Sequence, residues 1–214
     1  MQLFFSLPTP CLYVTAVYNN FAVCSYFLIS LQYSTSMQKF EEIFPLLKEI
    51  KSDEIRKKVS QCWEIAMKRG KWISLDNIPF TLLIPNAGSF IEHVNRVTEM
   101  AFVIGKKRGD VDMDVLIAGA LLHDVGKLLE YECIDKKIKK SSLGKIIRHP
   151  IIGASLAMEV GLDKKIVSII ASHSKEGEFV ERIPEAIIVH HCDFIDFEIA
   201  RGKNENKKEG HSRN

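Results

Sequence analysis

Residues 120–127 read ALLHDVGK, an apolar run that ends in a histidine and an aspartate. Val115, Leu116, Ala118, Leu121 and Leu122 carry the run back at helical spacing to Asp112, a favoured N-cap residue, and Gly126 loosens the chain beyond it. The pattern predicts a buried helix with His123 and Asp124 at its C-terminal end. That placement demands compensation. An ionised carboxylate in a core is costly without a cation or several donors, and a core imidazole needs partners for its ring nitrogens.

The same helical period continues on both sides. Ser89 followed by Glu92 forms a capping box, so a helix is expected from Phe90 that buries Val94, Val97, Ala101 and Ile104 and carries His93 and Arg96 on one side. His149-Pro150 opens a third helix that ends near Gly161. Asp163 caps a fourth, with Ile166, Val167, Ile169 and Ile170 inward and His173 in its last turn. Pro184 opens a fifth through Ala186, Val189, His190, Asp193 and Phe197. Upstream, Phe40, Ile43, Phe44, Leu47 and Ile50 recur at helical spacing, and Val59, Cys62, Trp63 and Ala66 repeat the pattern before Gly70. Trp72 to Gly88 reads as a connecting loop with a short extended piece at Phe80–Ile84 that covers the core. No run alternates convincingly as a strand would, so the fold class expected is all-α, one helical domain.

A chain of 214 residues, 46% hydrophobic, has material for one sizeable core. Its 29 basic and 27 acidic residues leave a formal charge of +2, which gives no whole-chain argument for binding nucleic acid or a membrane surface. Cys11, Cys24, Cys62, Cys133 and Cys192 are scattered, which suits a reducing, cytoplasmic compartment. Residues 1–36 stand apart, because the first charged residue is Lys39. Cys11–Leu31 is long enough to span a bilayer but is interrupted by polar residues, so a membrane anchor with a cytoplasmic domain is the alternative to a true start at Met37. The domain plan is an apolar extension (1–36), a helical lead-in and loop (37–88), a metal-binding domain (89–200) and a disordered tail (201–214, RGKNENKKEGHSRN) that includes His211.

Six of the seven histidines fall between residues 93 and 191, at helix ends or on apolar helix faces. Taken singly, a core histidine is usually just hydrogen-bonded and an aspartate at a helix end is usually a cap. Together they form a donor set of imidazole nitrogen and carboxylate oxygen that suits a first-row divalent ion, Mn, Fe, Co, Ni or Zn, and the lack of nearby cysteine argues against a structural zinc knot.

ALLHDVGK at 120–127 resembles the signature of the HD-domain phosphohydrolases, specifically their HDIG-like branch, a group of all-α metalloenzymes. EHVNRV (92–97), HPIIGA (149–154), IIASHSKEG (169–177) and IIVHHCDFID (187–196) resemble that family's other histidine and aspartate segments, in order. The resemblance implies that His93, His123, Asp124 and Asp193 hold one metal ion. His149 and His173 would complete a second site, with Asp124 bridging. It implies a hydroxide between the ions as nucleophile toward a phosphoester of small-molecule type, a nucleotide in first place. Arg96 and Lys127 are candidate phosphate contacts and Lys175 a third. His190, one turn from Asp193, would orient it or shuttle a proton, and His191 is expected in the core. Lys136–Lys140 (KKIKK) would be a solvated loop or a contact for a polyanion. No GYP element follows His173, which disfavours cyclic dinucleotides. Two other readings stay open: a non-catalytic module that binds metal or nucleotide, and a diiron oxygenase on the same fold.

Overall fold

The structure is a computed structural model and describes residues 39–211, with side chains to Glu205; the apolar extension and its anchor reading lie outside the described residues. A helical turn at 39–43 and a 3-10 turn at Pro45–Glu49 lead into α1 (Asp53–Gly70), α2 (Phe90–Arg108), α3 (Met113–Leu122) and the short α4 (Lys127–Glu130). A hairpin of β1 (Tyr131–Ile134) and β2 (Lys137–Lys140) follows, then α5 (His149–Glu159), α6 (Lys164–Ser172), a 3-10 turn at Lys175–Phe179, and α7 (Pro184–His211).

The helix starts are set by the side chains that the sequence predicts. Ser89 Oγ accepts from Glu92 N, Asp112 Oδ1 from Asp114 N and Val115 N, and Asp163 Oδ1 from Lys165 N, which satisfies amides that a first helical turn leaves without partners. α3 is apolar all round and buried all round, from Val115 to Leu122. It is the central rod, packed by α1, α2, α6 and α7. The lead-in shares this core: Trp63 stacks on Phe44 at 4.7 Å between ring centroids and meets Phe90 edge-on at 5.8 Å.

Two glycines allow the approaches that build the site. A Cβ on Gly119 would lie 2.5 Å from Ile169 Cδ1, so only glycine lets α6 lie this close to α3. A Cβ on Gly126 would lie 2.1 Å from the His149 carbonyl oxygen and 2.6 Å from Gly153 N, and a side chain there would push the start of α5 away from Asp124.

Ile104, expected among the buried residues of α2, is exposed, and two further sequence expectations change. KKIKK is not a loop: β2 pairs antiparallel with β1, Tyr131 opposite Lys140 and Ile134 opposite Lys137, across a two-residue turn whose Asp135 and Lys136 both have positive φ (50° and 61°). Buried Tyr131 anchors the hairpin while Lys137 and Lys139 stay in solvent, a division too short to register as a strand period. The tail expected from Arg201 is helical instead, since α7 runs to His211. Extending an anchored helix avoids the cost of nucleation, and Asn204 Nδ2 donates to the Pro85 carbonyl at 2.8 Å. Among the described residues no helix is long and apolar enough to cross a membrane.

Candidate metal centre

Four imidazoles meet where α2, the end of α3, the start of α5 and the end of α6 converge, and each is held by its outer nitrogen. His123 Nδ1 lies 2.7 Å from the Ala120 carbonyl and His173 Nδ1 2.8 Å from the Ile170 carbonyl. A carbonyl only accepts, so both Nδ1 atoms carry the proton and donate. His93 Nδ1 meets Asp196 Oδ2 at 2.7 Å, and His149 Nδ1 meets Glu130 Oε2 at 2.7 Å. A carboxylate fixes the tautomer in the same way. All four Nε2 atoms therefore point inward.

There they face one another and three carboxylate oxygens. His93 Nε2 and His123 Nε2 are 3.3 Å apart, as are His149 Nε2 and His173 Nε2. Asp124 lies between the two pairs: Oδ2 is 3.3 Å from His93 Nε2 and 3.5 Å from His123 Nε2, and Oδ1 is 3.1 Å from His149 Nε2 and 3.6 Å from His173 Nε2. Asp193 Oδ1 adds to the first pair, 3.2 Å from His93 Nε2. Donor atoms of His93, His123 and Asp193 form one group within 4.8 Å of each other, and those of Asp124, His149 and His173 a second. Asp124 is 1% exposed, yet among the described residues its Oδ1 has no hydrogen-bond partner.

Lone pairs opposed across such distances repel unless a cation lies among them. Ligand bonds of about 2.1 Å place neighbouring donors roughly 3 to 3.5 Å apart, which these donors match, so the residues fit divalent ions. Charge agrees with geometry. Burial opposes ionisation of Asp124 and Asp193, but Lys127 and His123 hold the first, and His93 and His123 the second, well below the usual carboxylate range. Burial also disfavours a charged His93, but Asp124, Asp193 and Asp196 outweigh it and raise its pKa to about 10. Without metal, the Lys127 ammonium on Asp124 and a proton on His93 supply the positive charge that the cluster gathers, and a bound ion would displace the proton.

The structure thus brings together His93, His123, Asp124, His149, His173 and Asp193. It does not bring Arg96 or His190 to them as expected. Arg96 is a correction: its guanidinium grips Asp196, Nε to Oδ1 at 2.6 Å and Nη2 to Oδ2 at 3.0 Å, and faces a separate groove between α2 and α7. The buried carboxylate draws it there. His190 is another, since its Nδ1 lies 2.6 Å from the His173 carbonyl and its ring packs on Phe194, so it supports His173's backbone rather than Asp193. His191 is exposed, not core. Lys127 is buried with its ammonium on Asp124 Oδ2 and on the Phe80 carbonyl (2.6 Å), so two of its three donors are engaged. Lys175 lies exposed at the cavity mouth.

Asp196 and Glu130 are the residues that sequence reasoning missed. A signal existed for the first: Arg96 is three residues after His93 and Asp196 three after Asp193, so α2 and α7 each offer a candidate ligand and a charge one turn on, and the two charges pair across the helices beside His93. Burial raises the pKa of Glu130, but the hydrogen bonds from His149 outweigh this and hold it at about 2, so it stays an acceptor. Arg96→Met is expected to weaken metal binding about tenfold through Asp196 and His93, read by chelator competition, without raising KM at saturating metal. A raised KM with unaltered metal affinity would return Arg96 to a substrate role.

Above the centre opens a cavity of about 660 Å³, with Lys127, His149 and Asp193 on its floor, Phe80–Pro85 as one wall and Phe194, Phe197 and Arg201 as another. The HD domain family matches residues 90–198. Curated relatives include the dihydroneopterin 2',3'-cyclic phosphate phosphodiesterase of Methanocaldococcus jannaschii, 29% identical over 74% of this chain and 69% of that protein. The ribonuclease Y of Pseudothermotoga lettingae is 32% identical over 49% of this chain and 18% of its own length. The tRNA (cytidine(56)-2'-O)-methyltransferase of Thermoplasma volcanium is 30% identical over 48% of this chain and 30% of its own length. The chain spans well under half the length of the ribonuclease Y and the methyltransferase it matches. No solved structure matches the chain.

Proposed function

The chain belongs to the HD domain family, and on that premise we propose that it is a metal-dependent phosphohydrolase that cleaves a phosphomonoester or phosphodiester of a nucleotide-sized molecule. The observation that carries this is Asp124, a buried carboxylate with one oxygen toward each histidine pair. His93, His123 and Asp193 would hold one divalent ion and His149 and His173 a second, with Asp124 shared between them. Ions so held would supply a hydroxide nucleophile near neutral pH and would neutralise phosphoryl oxygens.

The chain's own residues do the rest. Lys127 fixes the Asp124 carboxylate, and Asp196 and Glu130 fix the tautomers of His93 and His149. The apolar wall from Phe80 to Pro85 keeps bulk water from one side of the site, which strengthens every charge interaction within it. A relative named for a cyclic phosphate and others named as ribonucleases favour a diester. Free Cys62, Cys133 and Cys192 fit a reducing compartment, and we place the activity in the cytoplasm.

The test is elemental analysis of the purified chain together with a panel of mono-, linear di- and cyclic diesters under added Mn. Near two ions per chain with cleavage is the expected result. A folded protein with neither would favour the binding module, and oxygen uptake by an iron-loaded, hydrolytically inert protein would favour the oxygenase.

A further inference from the structure

We propose that Arg201 and Glu205 form the far end of the substrate cavity and select a ring that bears an oxo group next to an N–H and an amino group, the 2-amino-4-oxo edge shared by guanine and pterins. This rests on the hydrolase reading for what happens at the near end, but not for the binding itself. A 660 Å³ cavity falls in the range for whole organic ligands and is far more than a phosphoryl group needs. Asp193, Phe197, Arg201 and Glu205 follow at four-residue steps along α7, and all four line it.

Arg201 is eight residues beyond Asp193, about 12 Å along the helix axis, and long helical side chains lean back toward the N-terminus. A phosphate at Asp193 with a nucleoside-sized body beyond it therefore ends at this pair. Between the ends the walls are apolar: Phe197 on α7, and Leu82 to Pro85 opposite. Asn204 Nδ2, donating to the Pro85 carbonyl, ties the two walls together at the far end, so a single ring fits there better than a strand passing through.

The charges are divided in the same sense. Lys127 is committed to Asp124, Lys140 to Glu130 at 3.3 Å, and Arg148 to Glu176 at 3.3 Å. Lys175 stands in solvent at the mouth, and among the described residues Arg201 pairs only with Glu205, at 4.0 Å and in solvent, so its donor fork and the Glu205 oxygens stand side by side. A donor fork beside a carboxylate matches an edge that presents a carbonyl oxygen beside two N–H donors. Adenine offers one such donor and no carbonyl.

The measurement is the calorimetric Kd of guanosine, adenosine and neopterin monophosphates for the metal-loaded full chain, with Glu205→Gln and Arg201→Met beside it. Both guanosine and neopterin phosphates are expected to bind about tenfold or more tighter than the adenosine one. Either substitution should bring the ratio near one, and the tighter of the two tells guanine from pterin. Equal affinity for all three phosphates, or a preference that survives both substitutions, would overturn the proposal. Bis(p-nitrophenyl) phosphate is run in parallel: if the loaded protein cleaves no ester but keeps the ring preference, the hydrolase reading fails and this one stands.

Discussion

Asp124→Ala is expected to strip the metal from both halves of the centre at once, with activity falling below detection. Asp124 alone among the candidate ligands lies within 3.6 Å of both histidine pairs, so its loss removes a donor beside each pair and the only carboxylate among the candidate ligands of the His149/His173 half. Changes to groups that merely orient a ligand cost about 10–100-fold in metal affinity, so losing a shared ligand should cost at least about 100-fold for each ion. Asp193→Ala is the matched control. It touches only the His93/His123 half and should leave one ion behind. Metal content after dialysis, measured where circular dichroism reports a folded chain, decides between them. Retention of both ions by Asp124→Ala would refute the shared-ligand assignment, and Asp124→Asn, which keeps the side chain's volume, guards against a folding artefact.

Which parts of this centre a sequence can announce follows from the distance over which each interaction acts. His93, His123, His149, His173 and Asp193 are legible because each has a local marker: a capping serine, an apolar helix end, a following proline, or an ordered family segment. The helix starts at Phe90, Met113, His149, Lys164 and Pro184 are legible for the same reason. Arg96 misleads because its environment is decided 100 residues away by Asp196, and a cation near a metal site in sequence is drawn to whichever carboxylate the fold presents first. Glu130 is hidden by the four-residue helix that carries it, too short for any period to show. The hairpin escapes because its lysines contradict strand propensity, while its register depends on buried Tyr131 and on a turn with two residues at positive φ. Local signals mark the candidate ligands. The groups that aim them are tertiary.

Lys127 is where this difference can be measured. Its position after the His-Asp pair suggests a phosphate contact whose removal spares the metal, whereas its ammonium is buried on Asp124 and on the Phe80 carbonyl. Burial disfavours the charged ammonium, but Asp124 outweighs this and raises its pKa, so the pair is ionised and mutually dependent. Lys127→Met keeps the stem and removes the charge. In chelator it should destabilise the fold by about 3–5 kcal/mol, because a buried carboxylate loses its nearest cation. Removing both charges in Asp124→Asn/Lys127→Met should cost less than the two single changes added together. Loading with Mn should shrink the cost of Lys127→Met, since divalent ions replace the missing positive charge beside Asp124. Urea denaturation with and without metal reads all of these. If Lys127→Met costs the same in Mn as in chelator, Lys127 and the ions do not share Asp124, and the phosphate contact becomes the better account of this lysine.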